Sequence, residues 1–394
     1  MPDHSHSLMP DTYQTRALDK KITKLLNIST VIDLRGIWGS GKTWCALSHV
    51  KSIISADEST IAIPLIQMDE RIALAGLRPH AVDEWSAFPD LGTKARRASA
   101  DPGSFMLLTS IEPEEPRRTQ HLGSRQVTTL RMRTLTLAER GLSGALVSLE
   151  ELVATNGSSP ALPEYDGCTP PLESAALETL ALPACEGGWS AAIGRPHEDA
   201  LVIAANQVNQ LIALNGRRQS HNESIARSVL VSIELATGGD TSYAALARRG
   251  AEAGFDLPSR NTVSAYVRSL ERLYLIEKLP GWRAPVRSAS RVKTKPRLIL
   301  ADPSVGIAAA GLGLTDVQAS GLWLEAGFRA LTLHDLLAYA EALPLRFGAR
   351  VAYYADADGL SVDAVLLLQD ESWAPVAFAA HEANSIKARG AYFS

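Results

Sequence analysis

The sequence predicts an α/β fold in three parts: a mostly parallel sheet flanked by helices, a helical middle, and a mixed α/β end. Three observations carry this. Short apolar runs bounded by turn residues alternate with helical patterns through the first part of the chain. Between Ser174 and Leu279 apolar positions recur at helical spacing, closing with three short helices and a strand, the order of a winged helix-turn-helix. Past Asp302, helix and strand patterns mix again.

Taken in order, Leu18, Ile22, Leu25 and Leu26 sit at helical spacing within Tyr13–Asn27, beside Lys20, Lys21 and Lys24. Thr30–Leu34 is a β-rich run that ends in a glycine turn. A second helical pattern runs through Leu47, Val50, Ile53 and Ile54. Ile61–Ile66 is a weaker strand candidate, because Pro64 lacks the amide that a ladder uses. Phe105–Leu108 and Val127–Met132 are short, apolar and bounded by turn residues, which predicts strands. Asn156–Pro171 is rich in glycine, serine and proline and reads as a linker. Beyond it, helices are expected at Ala226–Thr237, Tyr243–Gly254, Asn261–Leu275 and Ala319–Ala342. Strands are expected near Leu279, at Val351–Tyr354 and at Ser361–Leu368.

The 394 residues, 46% of them apolar, are enough for two or three cores. No apolar run reaches the roughly 18 residues of a membrane span, and Met1–Asp11 lacks a secretory pattern. Cys45, Cys168 and Cys185 are too scattered for a disulfide framework or a Cys-x-x-Cys zinc site, so a cytoplasmic setting is expected. The net charge of −4 gives no global attraction to nucleic acid; any such binding needs a local patch.

Gly36-Ile-Trp-Gly-Ser-Gly-Lys-Thr43 follows a strand, opens a helix and matches G-x-x-x-x-G-K-[ST] at each fixed position. Gly36, Gly39 and Gly41 let the backbone, Ser40 included, wrap closely, so that successive N–H groups face anionic oxygens. Lys42 is expected to reach β- and γ-phosphates and the Thr43 hydroxyl to ligate magnesium, so ATP with Mg²⁺ is the expected ligand. Downstream, Asp83 is the candidate for the magnesium shell and Glu84 for polarising the attacking water; a solvated acidic turn leading into Pro89 is the alternative. Thr109 or Ser110, ending an apolar strand, is a candidate sensor of the γ-phosphate, with a turn-capping hydroxyl as the equal alternative. Arg125 is the candidate for neutralising transition-state charge, against the plainer reading of a surface arginine.

The order Tyr13…Arg16, Gly36–Thr43, Asp83-Glu84-Trp85…Pro89, Leu107…Ser110, His121-Leu-Gly-Ser-Arg125 and Leu135-Thr-Leu-Ala-Glu139 resembles prokaryotic AAA-type P-loop ATPases. These carry a C-terminal domain of unknown function with a restriction-endonuclease-like fold. The resemblance continues through Glu186-Gly-Gly-Trp189, Leu279-Pro-Gly-Trp282, Asp302-Pro-Ser304, Gly321-Leu-Trp-Leu-Glu325 and Asp358–Asp363. It implies ATP binding at a P-loop NTPase sheet in residues 1–155, a helical and winged-helix-like domain in 172–300, and a degenerate, truncated nuclease-like α/β domain in 301–394. It departs at Ser86, where the family has glutamine, and at Leu107-Leu-Thr-Ser110, where it has Leu-Thr-Gly-Ser. In the nuclease-like part it would place carboxylates at Glu325 and Asp363, and then an acid and a lysine where this chain has Phe378 and Ala380. Nuclease activity is therefore not expected.

Residues 283–297 hold Arg283, Arg287, Arg291, Lys293, Lys295 and Arg297 with no acid among them. The run is a candidate for DNA beside the winged helix, or for a protein contact, or a solvated loop. Three functions stay open: a magnesium-dependent ATPase that reorients its C-terminal domains, a nucleotide-gated interaction protein with negligible turnover, and a DNA-binding winged-helix module.

Overall fold

The computed structural model describes residues 12–56, 62–88, 90–98, 101–113, 127–143, 147–155, 178–219, 221–284 and 291–378. The expected linker at 156–171, and Pro89, Arg125, Arg287 and Ala380, lie outside them. The chain divides into two compact units, one of residues 1–134 with 272–274, the other of 135–271 with 275–394.

The first unit is built on a five-stranded sheet of β1 (Val31–Arg35), β2 (Ser52–Ser55), β3 (His80–Asp83), β4 (Phe105–Thr109) and β5 (Val127–Arg131), in the order β2-β3-β4-β1-β5. Each paired neighbour is parallel. One strand, β4, thus separates β1, which leads into the glycine loop, from β3, which ends in the acidic pair. Strands β1, β3 and β4 are buried almost throughout, as a parallel sheet covered by helices requires. Its helices are α1 (Asp19–Leu26), α2 (Lys42–Leu47), α3 (Ala62–Met68) and α4 (Leu91–Ala98). Helix α1 begins six residues after Tyr13 and buries Ile22 and Leu25.

Two local expectations are corrected here. The helical pattern through Leu47, Val50, Ile53 and Ile54 breaks after Leu47, and Ile53 and Ile54 instead pair with Ala81 and Val82. β-branched residues at a helical spacing were captured by a sheet neighbour. The weak strand candidate at Ile61–Ile66 is helix from Ala62, with Pro64 in the first turn, where its missing N–H costs nothing.

In the second unit α5 (Leu149–Ala154), α6 (Ala181–Glu186), α7 (His197–Gln219) and α8 (Glu223–Leu235) precede α9 (Tyr243–Glu252) and α10 (Arg260–Arg272). The antiparallel pair β6 (Ile276–Leu279) and β7 (Arg297–Leu300) follows. Ser242 caps α9 by accepting from the Ala245 amide. Then come α11 (Ser304–Ala310), α12 (Leu314–Gln318) and α13 (Gly321–Ala342), and a three-stranded antiparallel sheet of β8 (Arg350–Ala355), β9 (Ser361–Leu367) and β10 (Trp373–Val376). Among the described residues no helix is long and apolar enough to cross a membrane.

Helix α8 is buried on nearly every side, and α11 packs on it so closely that a Cβ on Gly306 would meet the Glu234 Cβ at 2.3 Å. Both Glu234 carboxyl oxygens are buried without a hydrogen-bond partner, and burial beside Asp302 pushes the group well above the usual carboxylate range.

The nuclease-like carboxylates expected from the resemblance, Glu325 and Asp363, share a guanidinium. Arg329 donates to Glu325 at 3.1 Å and to Asp363 at 3.0 Å. The other Asp363 oxygen accepts the Phe378 backbone amide at 2.8 Å, and Phe378 itself is core. Phe378 follows β10, which ends at Val376 with Trp373–Val376 paired to Ala364–Leu367.

Candidate functional site

The parallel register brings four strand ends together. Arg35 lies opposite Thr109 and Arg131, and Val82 opposite Leu107, so the residues that follow β1, β3, β4 and β5 emerge at one sheet edge. The glycine loop begins there: the Gly36 amide donates to the Thr109 carbonyl at 3.2 Å. A Cβ on Gly36 would lie 2.1 Å from the Met132 carbonyl oxygen, so only glycine fits. Gly39 and Gly41 have φ of +86° and +90°, the left-handed region that side chains resist.

Lys42 is buried beneath this loop. Its Nζ donates to the carbonyls of Gly36 (3.0 Å) and Ile37 (3.1 Å) and to Ser110 Oγ (2.8 Å). Burial brings the ammonium down to about 8, against the attraction of Glu84 and Asp83, which favours the charge. Thr43 Oγ1 donates to Asp83 Oδ2 at 2.6 Å, joining the residue after the loop lysine to the end of β3. Asp83 Oδ1 accepts the Glu84 amide at 3.0 Å.

Glu84 adopts φ of +49°, a left-handed conformation that costs a non-glycine residue about 1–3 kcal/mol. That turn aims its carboxylate at Ser110: one oxygen accepts the Ser110 amide at 2.9 Å, the other its hydroxyl. Burial pushes the Glu84 carboxyl above its ordinary value, with Lys42 and the Ser110 bonds working the other way. Of the two strand-end hydroxyls, Ser110 therefore joins the lysine and glutamate. Thr109 instead bonds Ser86 (2.7 Å) and the Ile111 carbonyl (2.8 Å), the turn-capping alternative. The solvated-turn alternative for the acidic pair does not hold, since Asp83 is buried and Glu84 is enclosed by these partners.

Three contributors were not among the candidate site residues, though Arg16 belongs to the pattern that carries the family resemblance. Arg16, buried ahead of α1, donates to the Ser40 carbonyl (2.7 Å) and to those of Arg133 (2.8 Å) and Thr134 (3.2 Å), bracing the loop from behind. Asp33 on β1 accepts Trp85 Nε1 at 3.1 Å and pairs with Arg35 at 2.7 Å, which fixes the aromatic after the acidic pair. Asp19 accepts Tyr13 (2.9 Å), contacts His49 (3.0 Å) and receives the Cys45 thiol (3.5 Å), tying α1 to the segment after the loop. A lone arginine, a strand aspartate and residues 26–30 positions apart become partners only through the fold.

The site suits an anionic, metal-bearing ligand. Ser40 Oγ is fully buried and has no hydrogen-bond partner. Thr43 and Asp83 offer two hard oxygens side by side, the donor type that magnesium takes.

Comparison with known proteins adds three findings. Residues 178–316 match the model of a domain of unknown function, DUF8612. No protein of curated function matches the chain. Among solved structures, a Walker-type ATPase of Pyrococcus abyssi is similar at 12% identity and a TM-score of 0.41, over 77% of this chain and 97% of that one. The Aeropyrum pernix ORC1 protein, solved in complex with DNA, is similar at 16% identity and a TM-score of 0.26, over 79% of this chain and 95% of that one. The strand order and loop geometry carry the fold without these distant likenesses: the first unit is a P-loop NTPase-type parallel sheet.

Proposed function

We propose that the first unit binds ATP with magnesium at Gly36–Thr43 and hydrolyses it. The observation that carries this is the convergence of Lys42, Thr43, Asp83, Glu84 and Ser110 at one edge of a parallel sheet, joined by hydrogen bonds of 2.6–3.0 Å. In this reading the backbone amides of Gly39, Ser40 and Gly41 hold phosphate oxygens. Lys42 exchanges its loop carbonyls for the β- and γ-phosphates. Thr43 and Asp83 hold the magnesium ion. Charge that develops on the transferred phosphoryl group is neutralised when that ion is bound.

Glu84 is the group that orients the attacking water and accepts its proton. Both its oxygens are engaged by Ser110, so it must exchange that partner for water before acting. This arrangement favours a second reading, in which nucleotide is bound and turnover stays negligible until a partner frees Glu84. Arg125 is the candidate for an added positive charge in either case.

Phosphate release by wild type, Lys42→Ala and Glu84→Gln separates the readings. Hydrolysis lost in both variants, with ATP still bound by Glu84→Gln, is the expected result. ATP bound by wild type with no phosphate release above background leaves the second reading. Phosphate release equal in all three proteins overturns the first.

A further inference from the structure

A cavity of about 1060 Å³ lies wholly within the second unit. One wall is built from residues 283–284 and 291–297, between β6 and β7, and another from the Gly238–Ser242 turn ahead of α9. The described residues on either side, 280–284 and 291–297, bond to β8. The Trp282 amide donates to the Tyr353 carbonyl (2.8 Å), the Tyr353 amide to Pro280 (2.9 Å) and the Lys293 amide to Ala355 (2.8 Å), so both arms pair along β8. Val292 packs inward against the cluster of Tyr354, Val362 and Val365, while Arg283, Arg291, Lys293 and Lys295 stay exposed along the cavity.

The charge is one-sided. Two carboxylates line the same cavity: Asp240 accepts the Ser242 amide and hydroxyl and also feels the charges of Lys293 and Lys295, while Asp356 accepts the Asp358 and Leu360 amides and the Tyr354 hydroxyl. Arg297 is structural, bonding the Gly238 carbonyl and Ser361 and lying 4.0 Å over the Tyr353 ring. Among the described residues none of the four exposed cations has a carboxylate within the 4.0 Å of an ion pair, in a chain whose net charge is −4.

We propose that this groove binds the phosphodiester backbone of a nucleic-acid strand without reading its bases. The cations are strung along an edge rather than gathered on one point. Alternate residues of extended chain repeat at about 6.6 Å, a step suited to successive phosphates. The volume exceeds what one phosphate fills. Tyr353, the aromatic in its lining, has its face covered by Arg297, so base stacking has no platform there. An extended acidic peptide fits less well, because the β8 edge it would add to is already paired. The inference does not rest on the nucleotide site, which lies in the other unit.

The test uses the full chain carrying Lys42→Ala, which removes the loop's phosphate lysine, and anisotropy of labelled oligothymidylate and of a duplex of matching length. Arg291→Ala/Lys293→Ala/Lys295→Ala should weaken binding about tenfold or more at low salt and flatten the slope of log K against log salt by about 2 for the single strand. A control, Arg195→Ala/Arg217→Ala/Arg218→Ala, removes three exposed arginines of the same unit and should change neither by more than about twofold. Lys293→Gln/Lys295→Gln gives the same reading should the triple variant fail to fold. The arms with single strand and duplex tell which form is held. No binding by the parent, equal losses in groove and control variants, or displacement by polyglutamate or millimolar inorganic phosphate as complete as by unlabelled oligonucleotide overturns the proposal.

Discussion

The two surfaces proposed to bind anions are built in opposite ways. The loop at 36–43 is a closed cradle: left-handed glycines, a buried lysine braced by three partners, and a carboxylate pair fixed by hydrogen bonds. The groove lined by Arg283, Arg291, Lys293 and Lys295 is open, with exposed cations spread along a strand edge. A buried lysine in a preformed cradle gives strength and selectivity for one polyphosphate. Exposed cations give long-range attraction that salt screens. The two should therefore respond differently to the same perturbations.

The largest contrast lies in single substitutions. Glu84→Gln should lower turnover about 100-fold or more while leaving ATP affinity within a few fold, as removal of a general base does. Measured kcat beside a binding titration checks this, and a parallel fall in affinity would assign Glu84 to binding instead. No single substitution in the groove should do comparable harm, because each exposed cation contributes only a share.

Salt separates the surfaces next. Raising ionic strength from about 50 to 200 mM should cost nucleic-acid binding about tenfold or more if three or four phosphates are neutralised. ATP affinity should fall much less over that range, since its partners are buried. Equal slopes for both ligands would erase the distinction.

The pH response carries a sign. Burial holds Lys42 down to about 8, so above that value the free protein loses the ammonium and ATP binding must take up a proton. The apparent Kd for ATP should rise with pH from about 8, approaching tenfold per unit. Calorimetry in buffers of differing ionisation enthalpy would detect the proton directly.

Much of the cradle was legible because its spacing is dictated by phosphate geometry: Gly36, Gly39, Gly41, Lys42 and Thr43 stand where local backbone needs put them. Asp83 was harder. Its strand shows only two apolar residues, because His80 fills a buried position by bonding Ser52 (2.7 Å) and the Ala73 carbonyl (3.1 Å), and burial holds its imidazole below the ordinary range. Arg16 entered only as part of the resemblance; its bracing role was not legible, since its partners lie 24 and 117 residues away. The basic run was plain as composition, but its docking on β8 depends on pairing that no local pattern encodes.

The smallest expected effect lies away from both surfaces and reports on the second unit's core. Glu234→Met should stabilise that unit by about 1–3 kcal/mol, by replacing an unsatisfied buried carboxyl with an apolar chain. The folded Glu234 carboxyl titrates above its unfolded value, so its contribution is full below the usual glutamate range and is lost as pH rises toward the folded value. Glu234→Gln should remove that slope from the unfolding curve. A slope unchanged in Glu234→Gln would mean that the carboxyl is reached by water.

The central claim is that Lys42 in its cradle binds ATP. Calorimetric titration of ATP with magnesium into wild type and Lys42→Ala tests it most directly. Wild type should bind, and the variant should lose affinity by about 100-fold or more, about 3 kcal/mol for a buried charged hydrogen bond. Affinity unchanged in a folded Lys42→Ala protein, or no binding by wild type, would contradict it.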